Sequence, residues 1–89
     1  MKSVTTTKFR NCYSKLPKEI QELARKNYSI WLKNPLHPSL QFKQIHNSEP
    51  IYSARVGISY RALGIIQQGV MVWFWIGSHG DYDKLITQL

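Results

Sequence analysis

Seven consecutive apolar residues, Val70-Met71-Val72-Trp73-Phe74-Trp75-Ile76, limit what this chain can fold into more than any other feature. Six of them are β-branched or aromatic, which favours an extended strand. A strand sends alternate side chains to opposite faces, so both faces of this one are apolar and both need cover. Simple alternation puts Val72, Phe74 and Ile76 on one face and Met71, Trp73 and Trp75 on the other. The run therefore belongs inside a sheet, with a helix over one side and further aromatic walls over the other. It is far too short to cross a bilayer, which takes about 20 residues.

The remaining elements can be read around that strand. "LPKEIQELARKNYSIWLKNP" (16–35) is a helix with legible ends. Pro17 suits the first helical position, Glu19 meets the positive end of the dipole, Lys33 lies in the last turn, and Asn34-Pro35 ends the element. Ile20, Leu23, Ala24, Ile30 and Trp31 follow the helical period, with Asn27 the polar member of the stripe. Strand-like runs cover Val4–Phe9, Leu40–Ile45, Ile51–Val56 and Ser59–Ile66, and Gln67-Gln68-Gly69 turns the chain into the aromatic run. Short polar turns between the later runs imply antiparallel hairpins. The expected fold is α+β: an antiparallel sheet of about four strands, one long helix packed on one face and a short C-terminal helix. With 89 residues and no linker or repeat, residues 1–89 read as one domain.

Twelve Lys and Arg against five Asp and Glu give a formal charge of +7, which favours polyanionic partners such as nucleic acid or an acidic protein. With 43% apolar residues the chain is too hydrophobic for a disordered tail. The single Cys12 cannot form an intramolecular disulfide, and no Cys/His spacing suits zinc, so neither a metal nor another cofactor is expected. The start, "MKSVTTTKFR", carries charge without an apolar stretch behind it, unlike a secretory signal. A cytoplasmic address with no membrane partner is the expectation.

Two constellations bear chemistry. Ser78-His79-Gly80-Asp81 fits a helix N-cap, and that cap would bring His79 and Tyr82 onto one face of the short helix. An imidazole there is a candidate proton acceptor. Arg55 and Arg61 form the second. If Gly57-Ile58-Ser59 is a three-residue turn, Arg55 opposes Arg61 across two strands. Like charges so placed oppose folding, whereas a phosphate would gain from two convergent guanidinium forks. Lys43 extends the same basic surface, and Trp75 is a candidate base-stacking group among residues that otherwise read as core. His37 and His46 fall in connectors and read as solvent-facing.

Three stretches, "LPKEIQELARKNYSIWLKNPLHPSLQFKQI", "YSARVGISYRALG" and "VWFWIGSHGDYDKL", together resemble the RelE/ParE superfamily of type II toxins. The most specific element is Arg-Val-Gly-x-x-Tyr-Arg (55–61), similar to a family hairpin with one extra turn residue. The resemblance implies a RelE-like, microbial-ribonuclease-like fold and a cognate antitoxin that wraps the toxin. It implies ribosome and mRNA as targets, with DNA touched only indirectly through the antitoxin. By position it implies catalytic roles for Arg55, Arg61, His79 and Tyr82, and substrate contacts for Lys43 and Trp75, in a metal-independent cleavage of mRNA that inhibits translation. Asp81 and Asp83 depart from the pattern, since ribonuclease members carry further basic residues there, and Lys84 is the nearest counter-charge in sequence. The alternatives within the same resemblance are a ParE-like, non-catalytic DNA gyrase poison and a degenerate, inactive toxin.

Overall fold

The apolar run forms most of a strand, Val70–Ser78, in a five-stranded sheet; the structure, a computed structural model, describes residues 2–89. In chain order the elements are β1 (Lys2–Thr5), α1 (Thr7–Ser14), α2 (Lys18–Lys33), a 3₁₀ turn (Pro38–Leu40), β2 (Lys43–Gln44), β3 (Ile51–Val56), β4 (Tyr60–Gln67), β5 (Val70–Ser78) and α3 (His79–Ile86). The strand order is β1-β5-β4-β3-β2, antiparallel except that β1 runs parallel to β5. The α+β class, the long helix and the short C-terminal helix are as expected. No helix among the described residues is long and apolar enough to cross a membrane.

Helices α1 and α2 cover one face of the sheet, where Trp31 of α2 is buried against Val56, Ala62, Met71, Trp73 and Ile76 of the strands. Trp31 is 2% exposed and meets Trp73 edge-on at 5.3 Å, while Asn27 donates from Nδ2 to the Arg55 carbonyl at 3.0 Å. That bond fixes α2 against β3 and satisfies the one polar group in the apolar stripe. The second face carries a smaller cluster of Ile51, Leu63, Trp75 and Tyr82, closed by Leu85 and Ile86 of α3. Leu63 and Met71 are fully buried on opposite faces, each contributing about 1.5–3 kcal/mol of hydrophobic stabilisation.

Four local expectations are corrected. Trp73 and Trp75 do not share a face. Leu63 pairs with Trp75 and Gly64 with Trp73, so Phe74 is an extra residue in β5 and inverts the alternation beyond it. Trp73 stays under α2, and Phe74 and Trp75 both turn to the α3 side. The expected strand Val4–Phe9 ends at Thr5, because the Thr6 hydroxyl accepts from the Phe9 N–H at 3.0 Å and caps α1. Phe9, Cys12, Tyr13 and Leu16 then follow helical spacing into the core. The expected strand Leu40–Ile45 shrinks to Lys43–Gln44, since Pro38 starts the 3₁₀ turn and Gln41 leaves it in the left-handed region at φ 43°. Pro17 is the N-cap of α2 and not its first helical residue.

The hairpins follow their turns. Val56 opposes Tyr60 and Arg55 opposes Arg61, as a three-residue turn requires. Gly57 takes φ +64°, and a Cβ there would stand 2.7 Å from Leu23 Cδ2. Between β4 and β5 the two turn residues, Gln68 and Gly69, both have positive φ, which matches the strand twist of a tight hairpin.

Candidate functional site

Pairing fixes which side chains share the second face. Lys43 pairs with Ser53, Ser53 with Leu63 and Leu63 with Trp75, and one step along the ladder Arg55 pairs with Arg61 and Arg61 with Gly77. Opposed residues project to the same side, and positions two apart along a strand do too. Lys43, Arg55, Arg61 and Trp75 therefore emerge on the face that α3 partly covers. His79 and Tyr82 come to it from α3. The six residues singled out in the sequence thus fall on one side of the sheet.

The two arginines are held differently. Arg55 donates from Nε to the Gly57 carbonyl at 3.0 Å, which anchors the guanidinium at its inner nitrogen. Arg61 lies over the Tyr82 ring, with its guanidinium carbon 5.6 Å from the centroid, and donates from Nη2 to Gln41 Oε1 at 3.3 Å. Its Nη1 is buried and has no partner among the described residues. Neither arginine meets a carboxylate within salt-bridge distance among the described residues, where the only such contact joins His79 and Asp83. Two like charges opposed across strands and left unpaired favour an anion between them.

α3 starts at the cap read from the sequence, with Ser78 Oγ accepting from the Asp81 N–H at 3.2 Å. His79 Nδ1 lies 3.1 Å from Asp83 Oδ2, one helical turn on, so Asp83 pairs with His79 and not with its neighbour Lys84. A carboxylate only accepts, so in the neutral ring it keeps the proton on Nδ1 and leaves Nε2 as a proton acceptor. The His79 ring stands edge-on to Tyr82 at 5.9 Å, and Tyr82 is 6% exposed between it, Arg61 and Trp75. Tyr82 is thus the packed centre that sets the angle between imidazole and guanidinium.

Trp75 differs from its expected role. It is 9% exposed, packed with Leu63 and Tyr82 and lying across Gly77, so it is chiefly a core residue and not a free-standing stacking platform. Its remaining surface borders a small cavity of about 270 Å³ between α1 and α3. Lys43 is exposed at the far edge of the sheet. His46, expected in solvent, instead accepts at Nδ1 from the N–H groups of Ser48 and Glu49 and bonds through Nε2 to the Leu89 carbonyl at 3.1 Å.

Two contributors escaped the sequence reading. Asp83 had a legible signal, its four-residue spacing from His79 on a helix. Gln41 had none, because its contact with Arg61 joins residues 20 apart through the left-handed exit of the 3₁₀ turn. A larger cavity, of about 400 Å³, opens on the other face between α1 and α2, walled by groups such as Phe9, Ala24 and Ala62. It contains none of the six residues. Among the described residues no group of three His, Cys, Asp or Glu could hold a metal ion.

Comparison with known proteins agrees with this architecture. The fold is similar to that of the RelB-RelE antitoxin-toxin complex from Methanococcus jannaschii, with a TM-score of 0.74 at 14% identity over 92% of this chain and 96% of that one. It is similar to YafQ from E. coli strain BL21(DE3), with a TM-score of 0.72 at 10% identity over 90% and 94%. The RelBE2 toxin-antitoxin complex from Mycobacterium tuberculosis gives 0.69 at 23% identity over 88% and 96%. A comparison with curated proteins finds no match. The model of the ParE-like toxin domain matches residues 18–84, from the start of α2 through His79 and Tyr82, and the chain belongs to that toxin family.

Proposed function

We propose that this toxin is a ribosome-dependent mRNA endonuclease of a type II toxin-antitoxin system. The observation that carries the reading is the unpaired Arg55–Arg61 couple on the face where Asp83 holds His79 beside Tyr82. RNA supplies its own nucleophile, the 2′-hydroxyl, and the protein must supply proton transfer and positive charge. His79 Nε2 takes the proton of the 2′-hydroxyl as its oxygen attacks the adjacent phosphorus. Arg55 and Arg61 neutralise the phosphoryl oxygens as negative charge gathers there. The bond to the 5′-oxygen breaks, leaving a 2′,3′-cyclic phosphate and a 5′-hydroxyl whose proton comes from the Tyr82 phenol or a water beside it. Lys43 adds positive potential along the path of the backbone.

A cognate antitoxin is the second part of the proposal, supported by the antitoxin-toxin complexes among the similar structures. DNA enters only through that partner. The test is induction in growing cells with primer extension on a reporter mRNA, alongside cell-free translation. New 5′ ends within the message and arrested translation are expected, and both should vanish in an Arg61→Ala, His79→Ala double variant. Full activity of that variant refutes the site. The ParE-like description of the family favours one other reading, a poison of DNA gyrase. Intact message with trapped DNA breaks in a supercoiling assay would establish that instead.

A further inference from the structure

Strand β5 is longer than the strand beside it. β1 pairs with Val70–Trp73 only, and the Thr6 N–H to the Trp73 carbonyl, at 3.0 Å, is the last backbone bond on that side before the chain turns into α1. Beyond it, Phe74–Ser78 run on with a neighbour strand on the β4 side alone. The His79 N–H points to β4, bonding the Ser59 carbonyl at 2.7 Å. By two-residue alternation Gly77 faces β4 as well, and the N–H and C=O of Ile76 face away from it. Among the described residues no strand stands there. Instead there is the 270 Å³ cavity, whose apolar lining includes Leu16, Pro17, Trp75 and Ile76 and whose charged lining is Lys15 and Asp81.

We infer that this cavity takes a guanine base of the RNA substrate. The inference rests on the reading of the adjacent face as an RNA site. Apolar walls with a strand edge that no neighbouring strand pairs and one carboxylate suit a planar heterocycle that hydrogen-bonds along one rim. The volume lies just below the roughly 300 Å³ at which drug-sized pockets begin, which suits a single base. Asp81 decides which base. Its carboxylate only accepts, so the rim must present adjacent N–H donors. Guanine does, through N1–H and the exocyclic amino group, and its carbonyl is left for the backbone N–H or Lys15. Adenine and cytosine set an unprotonated ring nitrogen beside their amino group, which a carboxylate repels. Uracil places a single N–H between two carbonyls. Gly77 lines the cavity and pairs with Arg61, so a base seated here adjoins the phosphate site across one strand.

The experiment is a titration of the full chain, followed by backbone amide resonances, with 3′-GMP, 3′-AMP, 3′-CMP and 3′-UMP, and with the trinucleotides UGU and UAU. The expected result is that 3′-GMP shifts the Ile76 and Ser78 amides and binds at least about 10-fold tighter than the other three. Asp81→Asn should bring the four to within about 3-fold of each other while keeping the wild-type amide spectrum elsewhere. UGU should exceed both 3′-GMP and UAU. Equal binding of all four bases, no binding, shifts confined to other residues, or an undiminished preference in Asp81→Asn would each overturn the inference. Tighter binding of 3′-GMP than of UGU would also overturn it, by pointing to a free guanine nucleotide. Arg61→Ala separates the two readings, since it should weaken every nucleotide alike and leave the preference for guanine intact. Cleavage of mRNA without base preference would sink the pocket and spare the nuclease. A guanine preference in a protein that cleaves nothing would do the reverse.

Discussion

Alanine at position 77 would test the packing that holds the site together. A Cβ built on Gly77 stands 2.6 Å from Cζ2, 2.9 Å from Cη2 and 3.3 Å from Cε2 of Trp75. Carbon contacts settle near about 3.5–4.0 Å, so the indole must back away by roughly 1 Å. It has little room to do so, since Leu63 beneath it is fully buried and the Tyr82 ring lies 6.5 Å away centre to centre. Overpacking of this kind costs about 1–3 kcal/mol. A chain of 89 residues has on the order of 4–13 kcal/mol of total stability, so the loss is a sizeable fraction. In urea unfolding followed by tryptophan fluorescence, a slope of about 1 kcal/mol per M for so small a chain makes the midpoint fall by about 1–3 M with the slope unchanged. The displacement should also reach Arg61 through Tyr82, and a 1 Å error in placing a catalytic group lowers rate by about 100-fold. Gly77→Ala should therefore lose RNA cleavage in protein that is still folded at low urea. A wild-type midpoint would show that the indole does not lie over Gly77. A lowered midpoint with full activity would show that Trp75 supports the fold and not the site.

Three other substitutions probe separate links. Gly80→Ala meets no atom within 4 Å at the second residue of α3, so the better helix former should raise stability by about 0.5–1 kcal/mol, read as a higher urea midpoint. Asn27→Ala leaves the Arg55 carbonyl without its partner in a part-buried setting and should cost about 1–3 kcal/mol, measured the same way. If the arginines hold phosphates, binding of a short single-stranded RNA should weaken with salt at a log–log slope of about −0.7 per phosphate engaged. Arg55→Ala and Arg61→Ala should each flatten that slope by about one contact, and an unchanged slope in both would place the RNA elsewhere.

What could be read from the sequence was what short-range rules decide. The helix at Lys18–Lys33 announced itself by apolar spacing and by residues suited to its two ends. The Arg55–Arg61 opposition follows from counting three turn residues, and the Ser78 cap from one hydroxyl placed before an acid three residues on. Failure came where local signals conflicted or were silent. Three consecutive threonines favour a strand, yet one of them, Thr6, caps a helix, and only the packing of the half-buried Phe9, Cys12 and Tyr13 against the core reveals which preference prevails. The bulge at Phe74 was silent for a different reason. Polar residues mark the phase of a strand, and a run apolar on both faces has none, so a slip of one position leaves no trace in its pattern. That slip decides the site. Had the alternation continued unbroken, Trp75 would have joined Trp73 under α2, and Tyr82 would have faced a sheet without its aromatic partner. The extra residue carries Trp75 to the α3 side, where it seats Tyr82, and Tyr82 in turn seats Arg61 and His79. The arrangement of charged groups on this face therefore depends on an irregularity inside the most apolar segment of the chain.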